Sequence, residues 1–131
     1  MTLDISNFIY AFVILFVFYI GTCAGQEVIN QSNFKNKIAK DIVVVEFWAE
    51  WNKANEFKEL NKLKDSSVYR VNIMHCTKLQ ADYNISAVPT VVVFDNGIEK
   101  ERFNANIMFQ LEADKKTIQT SIDTIILNKF Q

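Results

Sequence analysis

Residues 42–51, IVVVEFWAEW, decide the fold. Their first six positions form an unbroken run rich in β-branched residues, which is typical of a strand that is covered on both faces. A second such run, TVVVF, occupies residues 90–94 and leads into Asn96-Gly97, a strong hairpin signal because both central residues of the turn need positive φ. We therefore expect two buried strands, with the alternating residues 98–103 returning beside the second one.

Helical patterns separate these strands. Apolar residues recur every third position from Asn52 to Leu63, and an apolar stripe runs from Ile118 to Ile126, so both segments are predicted helices. In chain order the predicted elements are strand 27–29, helix 34–38, strand 42–47, helix 52–63, strand 68–74, helix 79–83, strand 90–94, strand 98–103 and helix 118–126. Helices between strands imply parallel crossovers, so we expect an α/β domain with a mixed central β-sheet flanked by helices.

Residues 1–25 differ in character from the rest of the chain. They contain a single charged residue, Asp4, and an apolar run of 13 residues at 8–20, FIYAFVILFVFYI. A bilayer-spanning helix needs about 20 apolar residues and the core of a signal peptide about 7–15, so a cleaved signal peptide is expected. An uncleaved membrane anchor and a lipid attached to Cys23 are the alternatives. Each of them exports a domain of residues 26–131 to a periplasmic or extracellular location, with membrane contact only through the N-terminal segment.

The charges of residues 26–131 balance, with 14 basic and 14 acidic side chains. A nucleic-acid-binding protein would show a basic excess or a basic stripe, so no nucleic-acid partner is expected. The domain has one histidine and one cysteine, which cannot complete a zinc site. It also contains no glycine-rich phosphate loop and no serine nucleophile motif. We expect neither a metal nor a cofactor.

Four landmarks of the sequence resemble the thioredoxin family. They are residues 45–51 (VEFWAEW), residues 83–90 (YNISAVPT), the turn at residues 94–97 and the amphipathic last helix. The resemblance covers most of residues 27–131 and implies a thioredoxin-like fold, with a mixed central sheet flanked by helices.

The turn after the second tryptophan departs from that family. Where the family has Cys-Gly-Pro-Cys, this chain reads Asn52-Lys53-Ala54-Asn55. Disulfide exchange needs a thiolate and a second sulfur one turn away, and an amide side chain is neither a nucleophile nor a redox couple. We therefore expect no catalytic residue at this turn and a redox-inactive protein, in which Asn52 caps the helix that follows.

The resemblance also implies a binding groove. Pro89 is implied to be cis, and the backbone of Val88 before it is implied to pair with an extended substrate segment, a form of strand addition. Trp51 is implied to lie exposed beside the turn, where an indole can anchor a partner. A proline that only shapes its loop and a partly packed tryptophan are the alternatives. The expected site for an extended peptide or a protein partner consists of Trp51, Asn52, Asn55, Val88 and Pro89.

Glu46 and Arg70 occupy positions where the family keeps a buried acid and often a lysine. A buried carboxylate beside a guanidinium can keep its charge at tolerable cost. We expect a buried structural ion pair, and the alternative is a relic of proton transfer to the missing thiols.

Two further features leave other functions open. Cys76 follows His75, and a thiol activated by an imidazole would support an oxidoreductase that works with an external thiol. Neighbouring residues at a strand end usually point in opposite directions, however. Residues 104–111, NANIMFQL, are rich in apolar side chains and predict either an extra strand packed on the core or an exposed partner surface. A structural subunit of an exported assembly is a third function consistent with the sequence.

Overall fold

A computed structural model describes residues 26–131. The elements are β1 (Glu27–Val28), α1 (Phe34–Ile38), β2 (Ile42–Trp48), β3 (Ser67–Asn72), α2 (Thr77–Asp82), β4 (Thr90–Asp95), β5 (Ile98–Phe103) and α3 (Lys115–Asn128). Two short 3₁₀ helices, Glu50–Asn55 and Leu60–Lys62, connect β2 to β3. Within this part of the chain no helix combines the length and the apolar character needed to cross a bilayer. The predictions of a signal peptide, an anchor or a lipidated Cys23 lie outside the described residues.

The five strands form one mixed sheet in the order β1-β3-β2-β4-β5. β1 and β2 both run parallel to β3, whereas β4 runs antiparallel to β2 and β5 antiparallel to β4. The two antiparallel strands of the hairpin meet at Asn96 and Gly97, whose φ angles are +50° and +82°. The predicted mixed sheet and the predicted hairpin are therefore confirmed.

β2 lies at the centre of the sheet and is buried on both faces. Its residues Val43, Val45 and Phe47 contribute to a core cluster that also contains residues of α1 and α2. Ile42 and Val44 point the opposite way, into a second cluster that α3 covers through Ile118 and Ile122. Because successive side chains of a strand alternate between faces, one continuous apolar run supplies both halves of the core.

The helix predicted from Asn52 to Leu63 is wrong. The structure has two 3₁₀ helices there, and Asn52 itself has the non-helical angles φ −113° and ψ 25°. Repetition at every third residue matches the three residues per turn of a 3₁₀ helix better than the 3.6 of an α-helix. The apolar positions were nevertheless identified correctly in part, because Phe57, Leu60 and Leu63 are buried in the second core cluster.

Candidate functional site

The candidate site lies at the carboxyl end of β2, where the chain turns into the first 3₁₀ helix. Ala49 is buried and its carbonyl accepts a hydrogen bond from the Asn52 backbone N–H at 3.0 Å. The backbone carbonyl of Lys53 in turn accepts a hydrogen bond from the N–H of Glu56 at 3.2 Å. These bonds fold residues 49–56 into a compact turn that places Trp51 outside, at 60% exposure, and directs Asn52 inward.

Asn52 joins three segments of the chain through its side-chain amide. Its Nδ2 donates to the carbonyl oxygens of Val88 at 2.9 Å and Phe109 at 3.0 Å. Its Oδ1 accepts from Asn55 Nδ2 at 2.8 Å. The prediction that Asn52 caps a helix is therefore wrong, since no side-chain cap bond forms and no α-helix begins here. The amide is used to bond two carbonyls that are distant in sequence.

The loop before β4 is enclosed. The Val88–Pro89 peptide bond is cis, which is the geometry that the family resemblance implies. Val88 and Pro89 are both buried, and the Val88 carbonyl is already bonded to Asn52. The hydroxyl of Thr90 donates to the Ala87 carbonyl at 2.6 Å and holds the loop from the other side. In this conformation the predicted groove is covered, and of its residues Trp51 is the exposed one.

Residues 105–111, named the tip below, form a small reversing loop beside this site. A single antiparallel bridge joins Ala105 to Leu111. The β-structure of the predicted extra strand is therefore limited to this one pair of residues. Phe109 packs edge-on against Trp51, with ring centroids 5.2 Å apart. Ile107 is 97% exposed and Met108 is 68% exposed. For these two residues the prediction of core packing is therefore wrong, and the alternative of an exposed surface is correct.

The predicted ion pair between Glu46 and Arg70 is present beneath the turn. Arg70 Nη2 lies 3.3 Å from Glu46 Oε2, and Nη1 lies 3.1 Å from Glu56 Oε2. The Phe57 backbone N–H donates to both oxygens of Glu46, at 2.9 and 3.1 Å, and the Phe57 carbonyl accepts from Arg70 at 3.3 Å. The Glu46 side chain has no solvent exposure. The pair therefore attaches the irregular segment after the turn to two strands of the sheet.

Burial has the largest effect on the pKa of Glu46. Desolvation raises the pKa of this carboxyl from 4.5 to about 7, against the opposing effects of the Arg70 charge and the Phe57 hydrogen bond. The neighbouring Glu56 carboxylate raises it further. Glu46 consequently changes charge near neutral pH, although no sulfur lies at the turn to exchange a proton with it.

The family of the chain follows from comparison with known proteins. A thioredoxin family model matches residues 25–119. The chain belongs to the thioredoxin family. It is 41% identical to the thioredoxin of Mycoplasma genitalium over 70 aligned residues. The alignment covers 49% of this chain and 69% of that protein. It is 34% identical over 82 residues to the thioredoxin of Rickettsia prowazekii, covering 56% of this chain and 78% of that one.

Solved structures show the thioredoxin-like fold directly. The thioredoxin of Malassezia sympodialis superposes with a TM-score of 0.60 at 24% identity, covering 76% of this chain and 90% of that one. A mutant thioredoxin from Halobacterium salinarum gives a TM-score of 0.60 at 22% identity, covering 79% and 95%. The predicted fold class is thereby confirmed, and the predicted family is confirmed by the family model that matches residues 25–119.

Cys76, the free cysteine of this thioredoxin-family chain within residues 26–131, is buried. It is 4% exposed and packs in the first core cluster, whereas His75 is exposed. The two side chains thus differ in environment, as expected for neighbours at a strand end. No group of three or more potential metal-ligating side chains occurs among the described residues.

Sequence reasoning missed Phe109 as a site residue. Its apolar segment was recognised, but nothing in the pattern indicated that its ring would contact Trp51 or that its carbonyl would bond to Asn52. One local signal was available. Asn106 Oδ1 accepts from the backbone N–H groups of Met108 and Gln110 at 2.9 and 3.1 Å, and an asparagine that begins a short polar-apolar stretch is typical of such a turn.

Proposed function

We propose that this thioredoxin-family protein is a non-catalytic binding module, exported from the cytoplasm, that takes an extended peptide or a protein partner at the turn after β2. The observation that carries the proposal is the pair of amides at Asn52 and Asn55. They hydrogen-bond to each other at 2.8 Å, at the turn where thiol–disulfide exchange would require two sulfurs.

The backbone of the turn supports the same function. A catalytic thiol depends on a lowered pKa, which the N-terminus of an α-helix provides through its dipole and free N–H groups. Here the turn leads into a 3₁₀ helix, Glu50–Asn55, with a kink at Asn52. Both the sulfur chemistry and the usual means of activating it are therefore replaced, and Trp51 remains exposed to contact a partner.

The burial of Cys76 counts against an oxidoreductase that uses this thiol. A disulfide substrate must reach the attacking sulfur along the S–S axis, and a side chain 4% exposed within the core does not allow that approach without local unfolding. The fold also offers no second thiol within residues 26–131 to resolve a mixed disulfide.

The case for export comes from the N-terminal sequence. Residues 8–20 form an apolar run of 13 residues, followed by the small or polar residues Gly21, Thr22, Cys23, Ala24 and Gly25. Runs of this length match the core of a signal peptide. We accordingly place the folded domain in a periplasmic or extracellular compartment.

The purified protein is expected not to accelerate the reduction of a protein disulfide by dithiothreitol. The reason is that Asn52 and Asn55 cannot carry electrons between sulfurs. The assay compares the protein, its Cys76→Ser variant and an active thioredoxin at equal concentration, and the first two should both give the uncatalysed rate. Turnover that disappears in Cys76→Ser would overturn the proposal in favour of the buried thiol.

Trp51→Ala is expected to lose the partners that the protein captures by cross-linking in its native compartment. An exposed indole is a frequent anchor of interfaces, and its truncation typically reduces affinity by about 10-fold or more. Ile98→Ala is the matched control, because Ile98 is 62% exposed, as Trp51 is 60%, but begins β5 at the opposite end of the sheet. If every captured partner survives Trp51→Ala, the proposed site is contradicted, whatever the effect of Ile98→Ala.

A further inference from the structure

We infer that the tip, residues 105–111, is a built-in occupant of the binding site, and that it reveals the chemistry of the segment that replaces it. In the free protein the tip lies beside the Val88–Pro89 loop, where its Phe109 carbonyl shares the Asn52 amide with the Val88 carbonyl. The segment that displaces it presents an aromatic residue to Trp51 and that residue's carbonyl to the Asn52 amide. This inference rests on the proposed binding function and names its ligand class and its regulation.

The side-chain amide of Asn52 holds the tip and the Val88–Pro89 loop together. One Nδ2 atom donates to the Val88 carbonyl and to the Phe109 carbonyl, at 2.9 and 3.0 Å. An –NH₂ group has two hydrogens, so both are used and both carbonyls converge on one point. The main chain of the tip is therefore held directly beside the loop at which an extended segment would add.

The ring of Phe109 also binds the tip to Trp51. The Phe109 ring meets Trp51 edge to face, with centroids 5.2 Å apart and planes at 87°, which is a favourable aromatic arrangement. Phe109 reaches this position with φ +56°, a left-handed conformation that is unusual for a residue with a bulky side chain. One residue thus provides both the ring and the carbonyl that the site recognises.

The tip is pre-organised by its own hydrogen bonds. Asn106 N–H donates to the Gln110 carbonyl at 2.8 Å, and Phe109 N–H donates to the Asn106 carbonyl at 3.0 Å. The Asn106 side chain accepts from two further backbone N–H groups. Because the loop is already ordered, it can occupy the site at a small entropic cost and can move away as a unit.

Displacement of the tip requires only a ligand of ordinary affinity. Phe109 is 43% exposed, and Ile107 is 97% exposed and contributes nothing to the closed state. As a segment tethered within the same chain, the tip competes at an effective concentration of about 1 mM. A partner segment therefore opens the site when the ratio of its concentration to its dissociation constant exceeds the same ratio for the tip.

The test removes the tip from the protein and offers it back as a peptide. In the shortened variant residues 106–110 are replaced by Asn-Gly, which permits a two-residue turn to close the Ala105–Leu111 bridge. The probe is the capped peptide of residues 104–113, NANIMFQLEA. We expect the shortened protein to bind it with a dissociation constant of about 0.1 mM, and the intact protein, in which the tip competes at an effective concentration of about 1 mM, to bind about 10-fold more weakly.

The peptide itself carries the controls. A probe with Phe109→Ser should bind the shortened protein about 10-fold more weakly, because it lacks the ring, whereas a probe with Ile107→Ser should bind unchanged. Chemical shifts of the Trp51 indole and the Asn52 amide report the binding site. Equal binding by the intact and shortened proteins, or no binding by the shortened one, would overturn the inference.

A second measurement applies if the shortened variant does not fold. In a Trp48→Phe background Trp51 is the sole tryptophan, and Phe109→Ser should raise the acrylamide quenching of its fluorescence while Ile107→Ser leaves it unchanged. Unchanged quenching in Phe109→Ser would also overturn the inference. Partners that still depend on Trp51 would then leave the proposed function standing, whereas catalytic disulfide reduction would remove the proposed function whatever the peptide does.

Discussion

Replacing Arg70 with methionine is expected to lower the free energy of unfolding by about 3–5 kcal/mol at pH 8. The guanidinium bonds to the carboxylates of Glu46 and Glu56 and to the Phe57 carbonyl. Methionine fills much of the same space but leaves the fully buried Glu46 without a cationic partner. An uncompensated buried charge costs more than the net stabilisation that its pair provided.

Denaturant unfolding of the variant at pH 8 and pH 5 measures this effect. The loss should be smaller at pH 5, because the pKa of Glu46 is about 7 and the carboxyl is then neutral in the folded parent as well as in the variant, so no buried charge is left without a partner. Lys78→Met is the matched control, since Lys78 pairs with Asp82 at 2.8 Å on the surface, where ion pairs contribute little. A loss in Arg70→Met no larger than in Lys78→Met would contradict the structural role of the pair.

Glu46→Gln should rescue much of the damage in Arg70→Met. A glutamine can still accept the hydrogen bond from Phe57 N–H at Oε1, and it brings no charge that needs a partner. In a double-mutant cycle the two substitutions should therefore couple strongly, since they remove opposite members of one buried pair. Independent, additive losses would show that the two groups do not interact in solution.

The central strands could be predicted from the sequence because their signal is local. The β-branched runs at residues 42–47 and 90–94 can be buried on both faces only in the middle of a sheet, and Asn96-Gly97 fixes how the second run turns. The observed hairpin and the two core clusters on either face of β2 match these expectations.

The details of the site could not be predicted because they depend on contacts between distant segments. The partners of the Asn52 amide lie 36 and 57 residues away in sequence, and no local pattern encodes such bonds. An asparagine between a strand and a predicted helix is typical of a helix cap. The cap was therefore the simpler interpretation of Asn52. The ion pair between Glu46 and Arg70 was predictable only through the family resemblance. The second carboxylate that Arg70 contacts, that of Glu56, was not predicted.

The stability of the protein is expected to fall as the pH rises from about 4.5 to about 7. Burial raises the pKa of Glu46 to about 7 in the folded protein, from the 4.5 of an exposed glutamate in the unfolded chain. Between these values the folded state binds more protons than the unfolded state. The free energy of unfolding therefore decreases with increasing pH, in total by about 3 kcal/mol at 1.36 kcal/mol per pKa unit, and levels off above the folded pKa.

Comparing Glu46→Gln with the parent separates the contribution of this carboxyl to the pH dependence of stability from that of the other titrating groups. Asp114 also has a shifted pKa, but its pKa is lowered from 3.8 by the backbone and side-chain hydrogen bonds from Thr117. The stabilisation that Asp114 contributes is therefore lost only as the pH falls below 3.8. This lies outside the window between 4.5 and about 7 in which Glu46 affects stability. The variant should thus show a nearly flat profile between pH 4.5 and 7 where the parent declines. Parallel profiles for the two proteins would mean that Glu46 is ionised in the fold throughout this range, with Arg70 and Phe57 N–H offsetting its burial completely.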